Sequence, residues 1–254
     1  MQIGRVWHEM TRQSRQPQNQ NQVYNWPAII QKLVFPPTCL LCGDRGERTL
    51  DLCRKCLDSL PFLHEACPRC GLPLTASTAS SCGACLKNPP PFDRMTCTFR
   101  YEEPIRHLIQ SLKFGSGHAH ARLLGTLLAD SIHLARPLPE AVIPVPLHPR
   151  RYAERSFNQS LEMARIVSAH LRIPLDYNTC RRMRSTEAQA RLHSGERRRN
   201  IRRAFVVSPD FRYKHIALLD DVVTTGATVS ELATELRKAG ADQIDIWTCA
   251  RALP

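Results

Sequence analysis

The sequence predicts an open, mostly parallel α/β sheet preceded by a small cysteine-rich module. Three observations carry that expectation. From about residue 95 onward, apolar strand patterns alternate with helical ones, the order that gives parallel pairing with crossover helices. Ile216 to Leu219 is a continuous apolar run, the mark of a strand covered on both faces. Ahead of these elements, four C-x-x-C knuckles lie within residues 39–85, a stretch too short to build a core of its own.

The elements are expected in chain order. Residues 1–25 are polar, rich in Gln, Asn and Arg, and read as a disordered extension or the product of an upstream start codon. Trp26 to Phe35 has helical spacing and is expected to pack on the first knuckle. The cysteine module occupies 26–90, and Asn88-Pro89-Pro90-Pro91 is a stiff extended break into a second domain, 91–254. There, a strand near Met95–Tyr101 precedes helices from Pro104 and from His118. A strand at Ala141–Val145, a helix from Phe157 and a strand near Phe205 come next. The Ile216 strand, a helix reaching Ala239 and a last strand at Gln243–Cys249 close the domain. Cys97, Cys180 and Cys249 sit in apolar runs and read as small core residues.

The knuckles are Cys39/Cys42, Cys53/Cys56, Cys67/Cys70 and Cys82/Cys85. Ten residues separate the first two and eleven the second two, spacing that suits two tetrahedral four-thiolate zinc sites. A glycine follows Cys42, Cys70 and Cys82 and is expected to ease each turn. The rival reading, a disulfide framework, needs an oxidising compartment, and the chain shows neither a signal-peptide pattern nor a membrane-spanning run. A cytoplasmic protein with about two structural zinc ions is the expectation. Sequential sharing of the knuckles is expected, with interleaved sharing as the alternative.

The Ile216 run ends in Asp220-Asp221-Val222-Val223-Thr224-Thr225-Gly226-Ala227-Thr228 and opens a helix at Val229-Ser230-Glu231. Paired carboxylates at a strand end accept hydrogen bonds from sugar hydroxyls. The hydroxyl-rich glycine turn supplies consecutive N–H donors for a phosphate, and the helix dipole adds to them. A ribose 5-phosphate needs both. No Walker lysine pattern and no G-x-G-x-x-G occurs, so nucleoside triphosphatase and dinucleotide readings lack support.

Leu218 to Thr228 resembles the phosphoribosyl pyrophosphate (PRPP) motif of type I phosphoribosyltransferases. That resemblance implies that Asp220 and Asp221 hold the ribose hydroxyls and that Val222 to Thr228 cradle the 5-phosphate. Four cysteine knuckles ahead of such a motif resemble the ComF/GntX family, bacterial proteins linked to natural competence and the use of external DNA. The resemblance runs from about Trp26 onward. It includes Cys39-Leu40-Leu41-Cys42-Gly43, Cys67-Pro68-Arg69-Cys70-Gly71, Leu108 to Phe114, Pro144-Val145-Pro146-Leu147 and Phe157-Asn158-Gln159-Ser160. Ser156 stands where the family usually has glycine, and a serine there suits a helix cap. The implied fold is a type I phosphoribosyltransferase-like sheet behind a double zinc ribbon. The implied reaction displaces pyrophosphate from ribose C1 by a nitrogen nucleophile, with Mg²⁺ bridging pyrophosphate and ribose oxygens. In it, Asp220 and Asp221 are the catalytic pair. A flexible loop with Gln189, Arg197 and Asn200 closes over the site, Lys113 reaches the ligand, and the proline-rich strand exit Pro144 to Arg151, shaped like a pyrophosphate loop, brings Arg150 and Arg151 to it.

The net charge is +12 and the pI about 9.5, which points to polyanionic partners. Nine arginines lie between Arg181 and Arg203 against only Glu187 and Glu196. That run serves either as a pyrophosphate-grasping loop or as a track for the phosphates of single-stranded DNA. Aromatic residues are 6% of the chain, too few for extensive base stacking, so any DNA contact is expected to be ionic and salt-dependent. His118, His120 and His148 lack partners at ligand spacing and are not expected to bind metal. An enzyme, a non-catalytic DNA-binding protein working with other competence proteins, and a PRPP sensor are the three functional readings.

Overall fold

The computed structural model describes residues 37–47, 50–74, 81–113, 117–132, 137–155, 157–184, 201 and 203–253. Pro37–Pro254 forms one compact unit. The Trp26–Phe35 expectation lies outside the described residues, as do Ser156 and the loop residues Gln189, Arg197 and Asn200.

Two short helices, α1 (Arg54–Asp58) and α2 (Gly83–Lys87), belong to the cysteine segment. The sheet domain continues in the order β1 (Arg94–Arg100), α3 (Ile105–Lys113), α4 (Gly117–Ile132), β2 (Ala141–Pro144), α5 (Pro149–Arg155) and α6 (Gln159–Leu171). Then come β3 (Cys180–Arg182), β4 (Phe205–Val207), β5 (His215–Val223), α7 (Ala227–Lys238) and β6 (Gln243–Arg251). The main sheet has the order β1-β6-β5-β2 and every pairing in it is parallel, while β3 and β4 form a separate antiparallel pair. The open parallel sheet behind a cysteine-rich module is the architecture that the alternating pattern predicts.

Strand alternation divides the core into two layers. Ile143, Ile216, Leu218, Ile244 and Ile246 face Leu232, Ala233 and Leu236 of α7. On the other side, Val142, Ala217, Leu219 and Trp247 pack with Leu108, Leu124, Leu128 and Met163 of α3, α4 and α6. β5 is covered on both faces, which is why its apolar run is unbroken.

The same core reaches into the cysteine segment. Cys39, Leu52, Cys53, Leu57 and Leu60 bury with Phe99 and Ile105, and the Phe62 and Phe99 rings lie 4.8 Å apart. Backbone bonds join the segments: the Leu63 N–H donates to Thr98 O at 2.9 Å, Arg100 N–H to Pro61 O at 2.9 Å and Met95 N–H to Pro68 O at 2.7 Å. Asp51 also takes an ion pair from Arg122 of α4.

α4 and α6 meet at Gly125, where an added Cβ would lie 2.8 Å from Ile166 Cβ and 3.2 Å from the Met163 carbonyl oxygen. Gly125→Ala is therefore expected to destabilise the fold by about 1–3 kcal/mol despite alanine's better helix propensity. A urea melt checks this by a lower midpoint at unchanged slope.

Candidate phosphate-binding site and metal centres

The four parallel strands bring their carboxyl ends to one edge, where ligands of open α/β sheets bind. β2 leaves the ladder first. Its last pair is Pro144↔Leu219, and the Val145 N–H still donates to Leu219 O at 2.9 Å. Pro144 and Pro146 lack N–H groups, so the ladder cannot continue and the chain turns away. β5, in contrast, stays paired with β6 through Asp220↔Thr248, Val222↔Ala250 and Val223↔Arg251. The acid pair therefore lies inside β5, on the edge that β2 has vacated, rather than beyond the strand. The strand ends at Val223, later than the apolar run alone marks.

Both carboxylates are half-buried and held by donors. Asp220 Oδ1 accepts the Ser160 hydroxyl at 3.1 Å and the Asp221 N–H at 3.0 Å, and Asp221 Oδ1 accepts the Val222 N–H at 2.9 Å. Burial, and next the charge of Asp221, push the Asp220 carboxyl well above the usual carboxylate range, although the Ser160 bond opposes them. Ser160 is placed by Asn158. The Asn158 Oδ1 accepts the Ser160 N–H at 3.0 Å and the Leu161 N–H at 3.4 Å, and its Nδ2 donates to Val145 O at 3.1 Å. Asn158 is thus the cap of α6 and ties that helix to the exit of β2.

After Val223 the loop is short. Gly226 has φ 76°, a left-handed conformation that favours glycine, and α7 starts directly after it at Ala227, two residues ahead of the expected Val229. The N-cap of α7 is Gly226, which offers no side-chain cap, and the first turn of the helix contains no acid to set against the positive end of its dipole. The Ala227 N–H makes only a long 3.4 Å approach to Thr225 Oγ1. This is the donor arrangement that a phosphate needs.

The arginines are distributed differently from expectation. Pro149 opens helix α5, a position where its missing N–H costs nothing, so Arg150 and Arg151 stand on a helical first turn and not on an irregular loop. Arg182, which the sequence shows only as one member of its arginine run, is buried beneath the site on β3, its guanidinium 5.6 Å from the Phe205 ring centre. Burial, and then the like charge of Arg151, lower its pKa, while Asp220 raises it; the three groups share one field. Arg181 and Arg184 are exposed beside it. Lys113 is the last residue of α3. Arg251 at the end of β6 carries no motif signal, yet it is buried and donates to loop carbonyls, Val223 O at 3.0 Å among them.

The eight knuckle cysteines form two clusters, Cys39/Cys42/Cys53/Cys56 and Cys67/Cys70/Cys82/Cys85, with sulfur atoms within 4.8 Å of one another in each. The knuckles are shared sequentially. Cys42 and Cys53 sulfurs are 3.6 Å apart, as are those of Cys70 and Cys82. Tetrahedral zinc with bonds of about 2.3 Å places its sulfurs about 3.8 Å apart, so the residues fit that metal. In the first knuckle of each site, Cys39 and Cys67, burial would raise the thiol pKa. Backbone N–H groups outweigh it and pull each down to about 6, favouring the thiolate that zinc requires. Gly43 and Gly71 have φ of 79° and 69°, as the knuckle turns demand, whereas Gly83 begins α2 and has no such role. Four protein ligands leave no open position, so the sites are structural. Cys180 and Cys249 are buried, and burial pushes the Cys180 thiol up to about 12, while Cys97 is half-buried.

Comparison with known proteins agrees with this arrangement. Residues 30–86 match the double zinc ribbon domain. The chain is 38% identical over 208 residues to competence protein F of Haemophilus influenzae, covering 79% of this chain and 89% of that protein. It is also 34% identical over 229 residues to the DNA utilization protein YhgH of Salmonella typhi, covering 87% of this chain and 100% of the relative. The chain belongs to the ComF/GntX family. Among solved structures, the allosteric regulatory enzyme of purine biosynthesis is similar with a TM-score of 0.36 at 19% identity, over 52% of this chain and 25% of that one. As a ComF/GntX protein, the chain keeps its zinc ribbons and its acid-threonine loop in one compact unit. No helix among the described residues is long and apolar enough to cross a membrane.

Two outcomes are expected. Metal analysis should return about two zinc per chain, and chelation should lower the melting temperature of the whole unit, because the first ribbon shares its core. Asp220→Asn should raise stability at neutral pH by about 1 kcal/mol, or about 2–4 °C in Tm, by removing a destabilising buried charge. The folded-state pKa is raised, so wild type loses stability as pH climbs through it. The advantage of the variant should accordingly vanish in acid, where Asp220 is protonated in both folded and unfolded wild-type chains.

Proposed function

We propose that this ComF/GntX protein binds PRPP and acts in DNA uptake or utilization; its relatives are named a DNA utilization protein and a competence protein. The observation that carries the reading is the acid pair on the vacated edge of β5, with a left-handed glycine and an uncapped helix directly after it. Asp220 and Asp221 accept the ribose hydroxyls, and Thr224 to Thr228 hold the 5-phosphate through backbone N–H and hydroxyl groups. Arg150 and Arg151, with the arginine-rich segment that carries Gln189, Arg197 and Asn200, balance the pyrophosphate charge; Lys113 is assigned to the same ligand. The division into a ribbon module at 26–90 and a phosphoribosyltransferase-like domain at 91–254 belongs to this proposal, as does a cytoplasmic site of action.

The paired carboxylates offer the hard oxygen ligands that Mg²⁺ prefers, and burial together with the Asp221 charge raises the Asp220 pKa, a cost that a bound cation would offset. Asp220 and Asp221 are the residues that would hold Mg²⁺, and the chemistry it would supply is charge neutralisation. The chain's own part is positional. Ser160 fixes the rotamer of Asp220, Asn158 fixes Ser160, and the half-buried acids stabilise positive charge developing at ribose C1 as pyrophosphate departs. The acceptor is a nitrogen nucleophile. A second reading, phosphate-tracking of single-stranded DNA, is favoured by the exposed Arg181 and Arg184 at the root of the arginine run.

Calorimetry with PRPP and Mg²⁺ on wild type and on Asp220→Asn/Asp221→Asn separates these readings. Binding in wild type and its loss by more than about tenfold in the double variant is the expected result, since each hydrogen bond to a charged group contributes about 1.5–3 kcal/mol. DNA affinity unchanged in the variant would place the two ligands on separate surfaces. No heat with PRPP beside tight, salt-sensitive DNA binding would overturn the PRPP reading in favour of the second.

A further inference from the structure

We propose that Arg251 is a positioning residue that couples the second four-cysteine site to the phosphate loop. The inference deepens the PRPP reading and rests on it for the identity of the ligand. Arg251 is the last residue of β6 and is 6% exposed. Its Nε donates to the carbonyl oxygen of Cys70 at 2.8 Å, and Cys70 is a ligand of the second site. Its Nη1 donates to Val223 O at 3.0 Å, to Ala252 O at 2.8 Å and to Thr224 O. One guanidinium thus bridges a metal knuckle and the first residues of the loop.

The bridge has a geometric consequence. In a trans peptide the C=O and the next N–H point in opposite directions. Holding the Val223 and Thr224 carbonyls toward Arg251 turns the Thr224 and Thr225 N–H groups away from it. That is how an anion-binding nest is aimed. The knuckle side is equally constrained. Gly71, directly after Cys70, has φ 69°, and a Cβ there would lie 2.9 Å from Met95 Sδ and 3.6 Å from Arg251 Cδ. The knuckle backbone therefore lies within van der Waals reach of the arginine, and it is Met95 that crowds the position.

Charge reinforces the contact. Four thiolates around one Zn²⁺ leave a net double negative charge, for which the guanidinium is the adjacent counter-ion. A filled second site holds Arg251, Arg251 holds the two carbonyls, and the carbonyls aim the nest. Lysine cannot replace it, because a point charge lacks the planar fork that serves both sides at once.

The test is amide hydrogen exchange of the zinc-loaded full chain, comparing wild type with Arg251→Met and Arg251→Lys. With both zinc ions retained, exchange of the amides at 224–228 is expected to quicken about tenfold in Arg251→Met and by less in Arg251→Lys. Removing zinc from wild type should quicken the same amides beyond the general rise that loss of the shared core gives the whole unit, and removal from Arg251→Met should add at 224–228 no more than that general rise. Wild-type exchange in a zinc-retaining Arg251→Met overturns the proposal. If that variant fails to fold, wild-type exchange in Arg251→Lys does so instead. PRPP with Mg²⁺ should bind about tenfold more weakly to Arg251→Met. A wild type that binds no PRPP refutes the phosphoribosyl reading, while the exchange rates still decide the role of Arg251.

Discussion

The ladder of β5 is the constraint on which the rest of the edge depends. On one side it loses its partner at Leu219, and on the other it keeps β6 as far as Val223. That asymmetry leaves two carboxylates on an unpaired strand edge while their backbone remains hydrogen-bonded to β6. Everything that surrounds the acids hangs from this strand. α6 reaches it through Ser160, α7 leaves it through Gly226, and β6 delivers Arg251 to its last residue. Like charges so close at a half-buried strand end are unfavourable for folding. A site that tolerates this is prepared for a cationic or hydroxyl-rich occupant rather than for maximal stability.

Much of this was legible in the residues themselves. The unbroken run Ile216–Leu219 announces a doubly covered strand, and Asp220, Asp221 and Gly226 announce the acid edge and the tight turn at its end, because their chemistry is local. The cysteine knuckles are equally local, and only their sharing needed three dimensions. Other features depend on distant partners. Pro149 reads as a strand exit from its neighbours, and only the turn actually taken makes it the first residue of a helix. Arg182 is indistinguishable in sequence from the other arginines of its run until β3 buries it against Phe205. Arg251 has no local signal, since its acceptors lie 27 and 28 residues away in the loop and 181 away at Cys70. Asn158 falls between these cases. Its capping role is local, but its bond to Val145 is not.

The cysteine segment is less separate than its composition implies. Zinc knuckles ordinarily compensate for a core too small to sustain itself. Here the first ribbon also contributes Leu52, Leu57 and Leu60 to the core layer under α4, and an ion pair from Asp51 secures it. The second ribbon meets β1 and β6 through backbone bonds and the Arg251 fork. Metal chemistry and sheet packing are therefore two supports of one structure.

This shared core has a consequence for biogenesis. Synthesis proceeds from the amino end at about 5–20 residues per second, so the thiols emerge from the ribosome before Phe99 and well before β6 exists. For those seconds metal capture alone can organise the nascent ribbon, and its apolar face waits uncovered for the strands still to be translated.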